Sequence, residues 1–200
     1  MDKCQEAQIF RHACKVFNGK KIVDEDWHYI LEAGRMSPSS FGMEPWRFLV
    51  VKSQKIKEQL QPLCWNQKQI STCSHLLIIK NQIALVQDEE YIAKMFARRG
   101  LSQEATAQYI ERYKSFIKPL DIDVWTAKQC YIAMESMMLA VAFRHIDSCP
   151  IEGFEREKVE RFLGLDTAKE RVAVIVTFGF RLNPQPAHHR LPLEELVQKL

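Results

Sequence analysis

CYIAMESMMLAVAF, residues 130–143, is the most apolar stretch of the chain. A membrane-spanning helix needs about 20 apolar residues, and this run is shorter and interrupted by Glu135 and Ser136. Arg144 and His145 then restore polarity. A helix apolar on nearly every side belongs at the centre of a soluble core or in a large subunit interface. The spacing predicts that this helix extends from about Asp123 to His145. Arg171-Val172-Ala173-Val174-Ile175-Val176-Thr177-Phe178 is continuously apolar over strand length, the pattern of a central strand covered on both faces. Leu76-Leu77-Ile78-Ile79 predicts a second buried strand, and Trp46 to Val51, after Pro45, a third rich in aromatic and β-branched residues.

Working outward, Asp24 is a plausible cap for a helix that Pro38 terminates, and residues 37–45 predict a loop. Helices follow from about Ser53 to Leu63, over Asp88 to Ile117 with a break at Gly100-Leu101-Ser102, and from Glu155 to Leu163. Asp147 to Gly153 reads as a loop between two helices. After Gly179, Pro184, Pro186 and Pro192 leave an extended arm with a terminal helical turn or two. Such an arm has little core of its own and must pack on something, a partner subunit included. No repeat or composition shift divides the 200 residues, which predicts one domain.

The composition narrows the function. With 46% hydrophobic and 26% charged residues, and only 7 Gly and 8 Pro, the chain is neither disordered nor of low complexity. A chain of this length removes roughly 70% of its unfolded surface from water, enough for a core without a disulfide or metal staple. Twenty-eight Lys and Arg against 25 Asp and Glu leave a net charge of +3, too balanced for a protein that neutralises many nucleic-acid phosphates. Cys4, Cys14, Cys64, Cys73, Cys130 and Cys149 are scattered, with no CxxC pair and no zinc spacing. Reduced thiols and an N-terminus without signal or transit character predict a cytoplasmic location, away from membranes.

GxGxxG, GxxxxGK[ST], HExxH and GxSxG are all absent. What remains is a set of short polar clusters. Arg11-His12-Ala13-Cys14-Lys15 concentrates charge and an imidazole, which also fits a solvated turn. Ser37-Pro38-Ser39-Ser40 is dense in hydroxyls, or simply a helix terminator. Pro150-Ile151-Glu152-Gly153 offers backbone donors, with Gly153 permitting close approach of a flat ligand, and equally fits an ordinary connection. His188-His189-Arg190 lies in the arm, where adjacent histidines diverge too much to chelate a metal and Arg190 suits an anion. Together they supply cations for a phosphate and donors for a heterocycle, without a nucleophile or acid–base pair, as suits a cofactor with its own reactivity.

In order along the chain these clusters resemble the FMN-dependent nitroreductase family, and within it the oxygen-insensitive NAD(P)H nitroreductase and dihydropteridine reductase branch. The matching pieces are Arg11 to Phe17, Ser37 to Ser40 with Pro45-Trp46-Arg47-Phe48, Ala127-Lys128-Gln129, Asp147 to Phe154, and Arg190-Leu191-Pro192. The resemblance implies an α+β fold with a central mixed or antiparallel sheet wrapped by helices, in an intertwined homodimer that exchanges its C-terminal arms. It implies an FMN at each of two interface sites, with NADH or NADPH as co-substrate. Nitroaromatics, quinones or related small molecules would accept two electrons by a ping-pong mechanism.

By position, the resemblance assigns Arg11 and Arg190 to the FMN phosphate, and His12 and Lys15 to the ribityl chain and pyrimidine edge, where Lys15 tunes the flavin. Pro38, Ser39 and Ser40 would come from the other subunit, and Asn66 would bond the pyrimidine ring. Pro150, Ile151, Glu152 and Gly153 would present backbone N–H groups to N5 and O4. The chain departs from the family pattern at Ala13, Gly42, Glu44, Gln69 and His188, where a hydroxyl, an asparagine, a glutamine and two lysines are expected. Gln69 and His188 therefore take the places of cofactor-binding lysines. Cys149 falls where flavin is expected to be close, although a buried thiol also serves as a small hydrophobe. The alternative within the fold is a flavin-binding protein with weak or lost turnover. The stripe Tyr109, Tyr113 and Phe116 reads as core rather than lid.

Overall fold

A computed structural model describes residues 2–200. Helix α1 (Lys3–Phe10) opens the described chain, capped by Asp2 in a capping box with Gln5. α2 (Asp24–Arg35) follows, with Val23 rather than Asp24 at its cap. Next come strand β1 (Trp46–Val51), α3 (Gln54–Leu63), α4 (Lys68–Thr72) and β2 (His75–Gln82). α5 (Glu89–Ala97) and α6 (Gln103–Ile117) are separated at Gly100, whose φ is +65°, and Ser102 caps α6 by accepting from Ala105 N–H. The long α7 (Ile122–Ala142), β3 (Asp147–Ile151), α8 (Arg156–Phe162), β4 (Glu170–Gly179) and the single turn α9 (Leu193–Leu196) complete the order.

The four strands form one antiparallel sheet in the order β1-β2-β4-β3. The sheet is central and both faces are covered, which explains the unbroken apolar runs in β2 and β4. Leu77 and Ile79 point to the face packed by Trp27 and Ile30 of α2 and by Cys130 to Val141 of α7. Leu76 and Ile78 point to the opposite face, against Leu60 of α3, Ile70 of α4 and Val159 of α8. In β4 the alternation reverses: Val174, Val176 and Phe178 join the α7 side while Val172 joins the other. A register shift opposite Ile79 and Lys80 accounts for this, since an extra residue turns the following side chains over. A third cluster unites α5, α6 and Trp125 of α7 around Met43, Phe96 and Tyr113.

The expectation of a loop over 147–153 is corrected by β3. Pro150 lacks an N–H and disfavours a strand reading, but at a sheet edge the missing donor leaves no partner unsatisfied. The Pro150 cluster therefore sits at the end of an edge strand, not between two helices. The free edge of β3 is in turn lengthened by a parallel bridge from Ala13 to Ser148, and Phe17 bridges Arg181. α7 is buried at eleven positions, from Trp125 to Ala142. No helix among the described residues is long and apolar enough to cross a membrane.

Candidate functional site

The segment after α1 is laid along β3. Cys14 N–H donates to Ser148 C=O at 3.1 Å, and Phe17 N–H to Thr72 Oγ1 at 3.2 Å. Cys14 and Phe17 are buried and Lys15, between them, is exposed. Its ammonium lies 3.6 Å from Cys149 Sγ, and among the described residues it meets no carboxylate within ion-pair distance. Burial pushes the Cys149 thiol up in pKa, and the Lys15 charge opposes this without reversing it, so the sulfur stays neutral at pH 7.

Gln69, almost fully buried, donates to Gln67 Oε1 at 2.8 Å and approaches Cys149 Sγ at 3.8 Å. Gln67 in turn donates to Gly153 C=O at 2.7 Å and Cys64 C=O at 3.0 Å. Trp65 and Asn66, before it, both adopt left-handed backbone with φ of +54° and +56°. Two such non-glycine residues together store roughly 2–4 kcal/mol of strain, which the surrounding bonds must offset. The strained turn presses the Trp65 ring against Gly153, where a Cβ would come within 2.7 Å of it.

Gly153 and Glu152 lie just beyond β3. Neither backbone N–H finds an acceptor among the described residues. The Glu152 carboxylate instead accepts from Tyr131 O–H of α7 at 2.5 Å. Lys15, Cys149, Gln69, Gln67 and Gly153 are thus linked by successive contacts, with Lys15 at the exposed end and Asn66 on the adjoining turn.

A second group gathers where the C-terminal arm returns to α1. Arg11, His188 and Arg190 line a groove of about 960 Å³ together with Gln185 and Glu135. Arg11 Nε is 3.9 Å from Glu135 Oε1, and among the described residues Arg190 donates only to His189 C=O. Behind the groove the buried Asp147 carboxylate accepts from Arg181 N–H at 2.8 Å and meets its guanidinium at 2.6 Å. His12 Nδ1 lies 3.6 Å from Asp147 without completing a hydrogen bond. Burial, helped by the Arg181 charge, lowers the His12 pKa, so this imidazole is neutral at pH 7.

Among the described residues, Pro38, Ser39 and Ser40 make no hydrogen bond to either group. Ser39 Oγ accepts from Glu44 N–H and Ser40 N–H donates to Gln129 of α7, both under 3 Å. Ala13 contributes its bridge to Ser148 and no side-chain donor, while Pro150 and Ile151 are strand residues of β3. Of the aromatic stripe only Tyr113 is wholly core; Tyr109 and Phe116 are over a third exposed. Sequence reasoning missed Gln67, Tyr131, Arg181 and Gln185, which act through long-range contacts that no local motif announces.

The model of the nitroreductase family matches residues 9–180. A Staphylococcus haemolyticus protein assigned by name to the NAD(P)H nitroreductases is 37% identical, with 99% of each chain covered. A Bacillus subtilis protein with the same assignment is 36% identical over 96% of this chain and 95% of its own. Among solved structures, a Staphylococcus epidermidis protein assigned by name as an NAD(P)H:FMN oxidoreductase superposes with TM-score 0.87 at 23% identity, covering 100% of this chain and 97% of its own. An Exiguobacterium sibiricum protein assigned as a nitroreductase and solved in complex with FMN gives TM-score 0.86 at 22% identity, over 100% and 98%. The chain belongs to the nitroreductase family, a family of oxidoreductase enzymes.

Proposed function

We propose that the protein is an FMN-dependent oxidoreductase that draws electrons from NADH or NADPH and reduces nitroaromatics, quinones or related small molecules. One set of features supports this: an ammonium with no carboxylate partner, two backbone donors with no acceptor, and a groove bearing two guanidinium groups, one of which, Arg11, lies four residues before Lys15. That donor set fits a flat heterocycle with a phosphate tail and fits few other ligands. The names of the relatives and of the FMN-complexed neighbour agree with it.

FMN, when bound, supplies a two-electron carrier. Arg11 and Arg190 hold the phosphate, for which forked guanidinium donors suit bidentate contact. Lys15 keeps a positive charge where negative charge develops on the pyrimidine side, and the adjacent neutral thiol leaves that charge uncompensated. Glu152 and Gly153 present their N–H groups, and Tyr131 keeps the Glu152 carboxylate engaged. No side chain has to act as a nucleophile.

The single FMN-binding unit works as a cytoplasmic homodimer, in which Pro38, Ser39 and Ser40 complete the partner's site. Within one chain the side-chain hydrogen bonds at Ser39 and Ser40 go to Glu44 and Gln129 and not to the Arg11 or Lys15 groups, which is compatible with this arrangement. A second reading, a flavin binder with weak turnover, draws support from Gln69 in place of a lysine and from Glu135 beside Arg11. Purified protein separates the two. A yellow protein bleached anaerobically by NAD(P)H and recoloured by nitrofurazone or a quinone supports the reductase. Recovery by oxygen alone supports the second reading, and a colourless protein that takes up no FMN overturns both.

A further inference from the structure

The arm that carries His188 and Arg190 is tied down by one side chain. Gln185 Oε1 accepts from Arg181 Nη1 at 2.8 Å, and Arg181 is itself fixed by the buried Asp147 and stacked over Phe10 at 4.2 Å. That bond settles the orientation of the amide, because a guanidinium only donates. The Gln185 NH2 group then faces two atoms: Ile9 C=O at 2.6 Å and His188 Nε2 at 2.7 Å. Both of its protons are engaged. His188 Nε2 is consequently an acceptor, the ring is neutral, and its one proton sits on Nδ1.

We infer that Gln185 is a positioning residue that holds His188 as the neutral Nδ1–H imidazole, a hydrogen-bond donor to the phosphomonoester of the bound mononucleotide. The inference deepens the FMN reading and rests on it for the identity of the ligand. His188 lines the groove with Arg11 and Arg190, so its Nδ1–H adds a directional donor to two charged ones. A neutral histidine in that place also explains how a chain without the expected lysine keeps a donor there. The same amide joins Ile9 at the end of α1 to Arg181 after β4, so the grip on His188 is coupled to the two segments that bring Arg11 and the arm together.

Gln185→Glu tests this with an almost isosteric change. The carboxylate still accepts from Arg181, but it cannot donate to His188 Nε2 and favours a proton on that atom instead. Long-range 1H–15N spectra of histidine-labelled protein at pH 7.5, with His188→Asn used to assign the signal, should show Nδ1–H in the parent and a protonated Nε2 in Gln185→Glu. FMN affinity, read by quenching of flavin fluorescence, should fall about tenfold or more in the variant and likewise in Gln185→Met, which removes the donor to His188 without adding charge. Riboflavin, which lacks the phosphate, should bind parent and variant alike.

A parent His188 found as the Nε2–H tautomer or as imidazolium overturns the inference whatever the ligand is. Unchanged FMN affinity in Gln185→Glu, or an equal loss for riboflavin, overturns the positioning role. If the parent shows the Nδ1–H signature yet binds neither flavin, the FMN reading has failed. The phosphate role of His188 then falls with it, and only the tautomer assignment stands.

Discussion

The ammonium of Lys15 rests 3.6 Å from the sulfur of Cys149, and both are delivered by neighbouring extended segments joined through the Ala13–Ser148 bridge. The pairing is asymmetric. Burial keeps the thiol protonated, so it solvates the ammonium weakly and does not neutralise it.

Lys15→Met should therefore retain much of the FMN affinity, which the guanidinium groups supply, while slowing anaerobic reduction by NAD(P)H. Removing a cation from the place where charge develops costs about tenfold in rate or more. Stopped-flow absorbance at the flavin band measures it, and the midpoint potential should become more negative. Lys15→Arg should recover part of both. An unaltered reduction rate in Lys15→Met would remove Lys15 from the chemistry.

Gly153→Ala should separate binding from stability. The new methyl would lie 2.7 and 2.8 Å from Trp65 ring carbons and 3.0 Å from Gln67 Nε2. The Trp65 ring is two-thirds exposed and free to swing away, so Tm should fall by only about 2–4 °C. FMN affinity should drop about tenfold as the Gln67 bond to Gly153 is disturbed, and tryptophan emission should shift with the displaced ring. A large loss of Tm with FMN affinity intact would contradict the placement of Gly153 at the ligand.

His75 should govern part of the acid response. Its ring stacks on Trp27 with centroids 4.3 Å apart, and burial, reinforced by the charges of Lys57, Lys21 and Lys52, holds its pKa down at about 4. The unfolded chain takes up that proton near pH 6.5. Stability from the neutral ring is complete above that pH and is lost as pH falls toward 4. His75→Phe, which keeps the stack, should flatten the decline of Tm across this window. Asp123 and Glu170 respond lower: burial opposes their ionisation, but hydrogen bonds and charge from Arg156 and Asn81, and from Lys80 and Gln82, outweigh it. Their contribution should persist until the pH falls below the ordinary carboxylate range. An identical Tm profile for His75→Phe and parent between pH 6.5 and 4 would refute this assignment.

The core was legible where burial leaves a composition signal. β4 and β2 are apolar on both faces because both faces are covered, and the mostly apolar α7 buries eleven positions while Val124, Lys128, Ile132 and Glu135 stay exposed. α1 and α4 escaped because they are short and mostly polar, with Ala7, and Gln69 with Ile70, as their buried residues. β3 escaped because Pro150 is tolerated only at an edge, a fact of topology and not of local propensity. At the proposed site, Arg11, Lys15, His188 and Arg190 are named by residue type and family order. The residues that orient them do not: Gln67, Tyr131 and Gln185 are ordinary amides and a phenol until the fold brings Gly153, Glu152 and His188 to them.

The groove that unites Arg11 with His188 and Arg190 draws on opposite ends of the described chain. During synthesis the ribosome will have made all four strands and the long helix before the last of these groups emerges. A phosphate-bearing ligand cannot template early folding by this grip. It can only lock a structure whose sheet and long helix have already found each other.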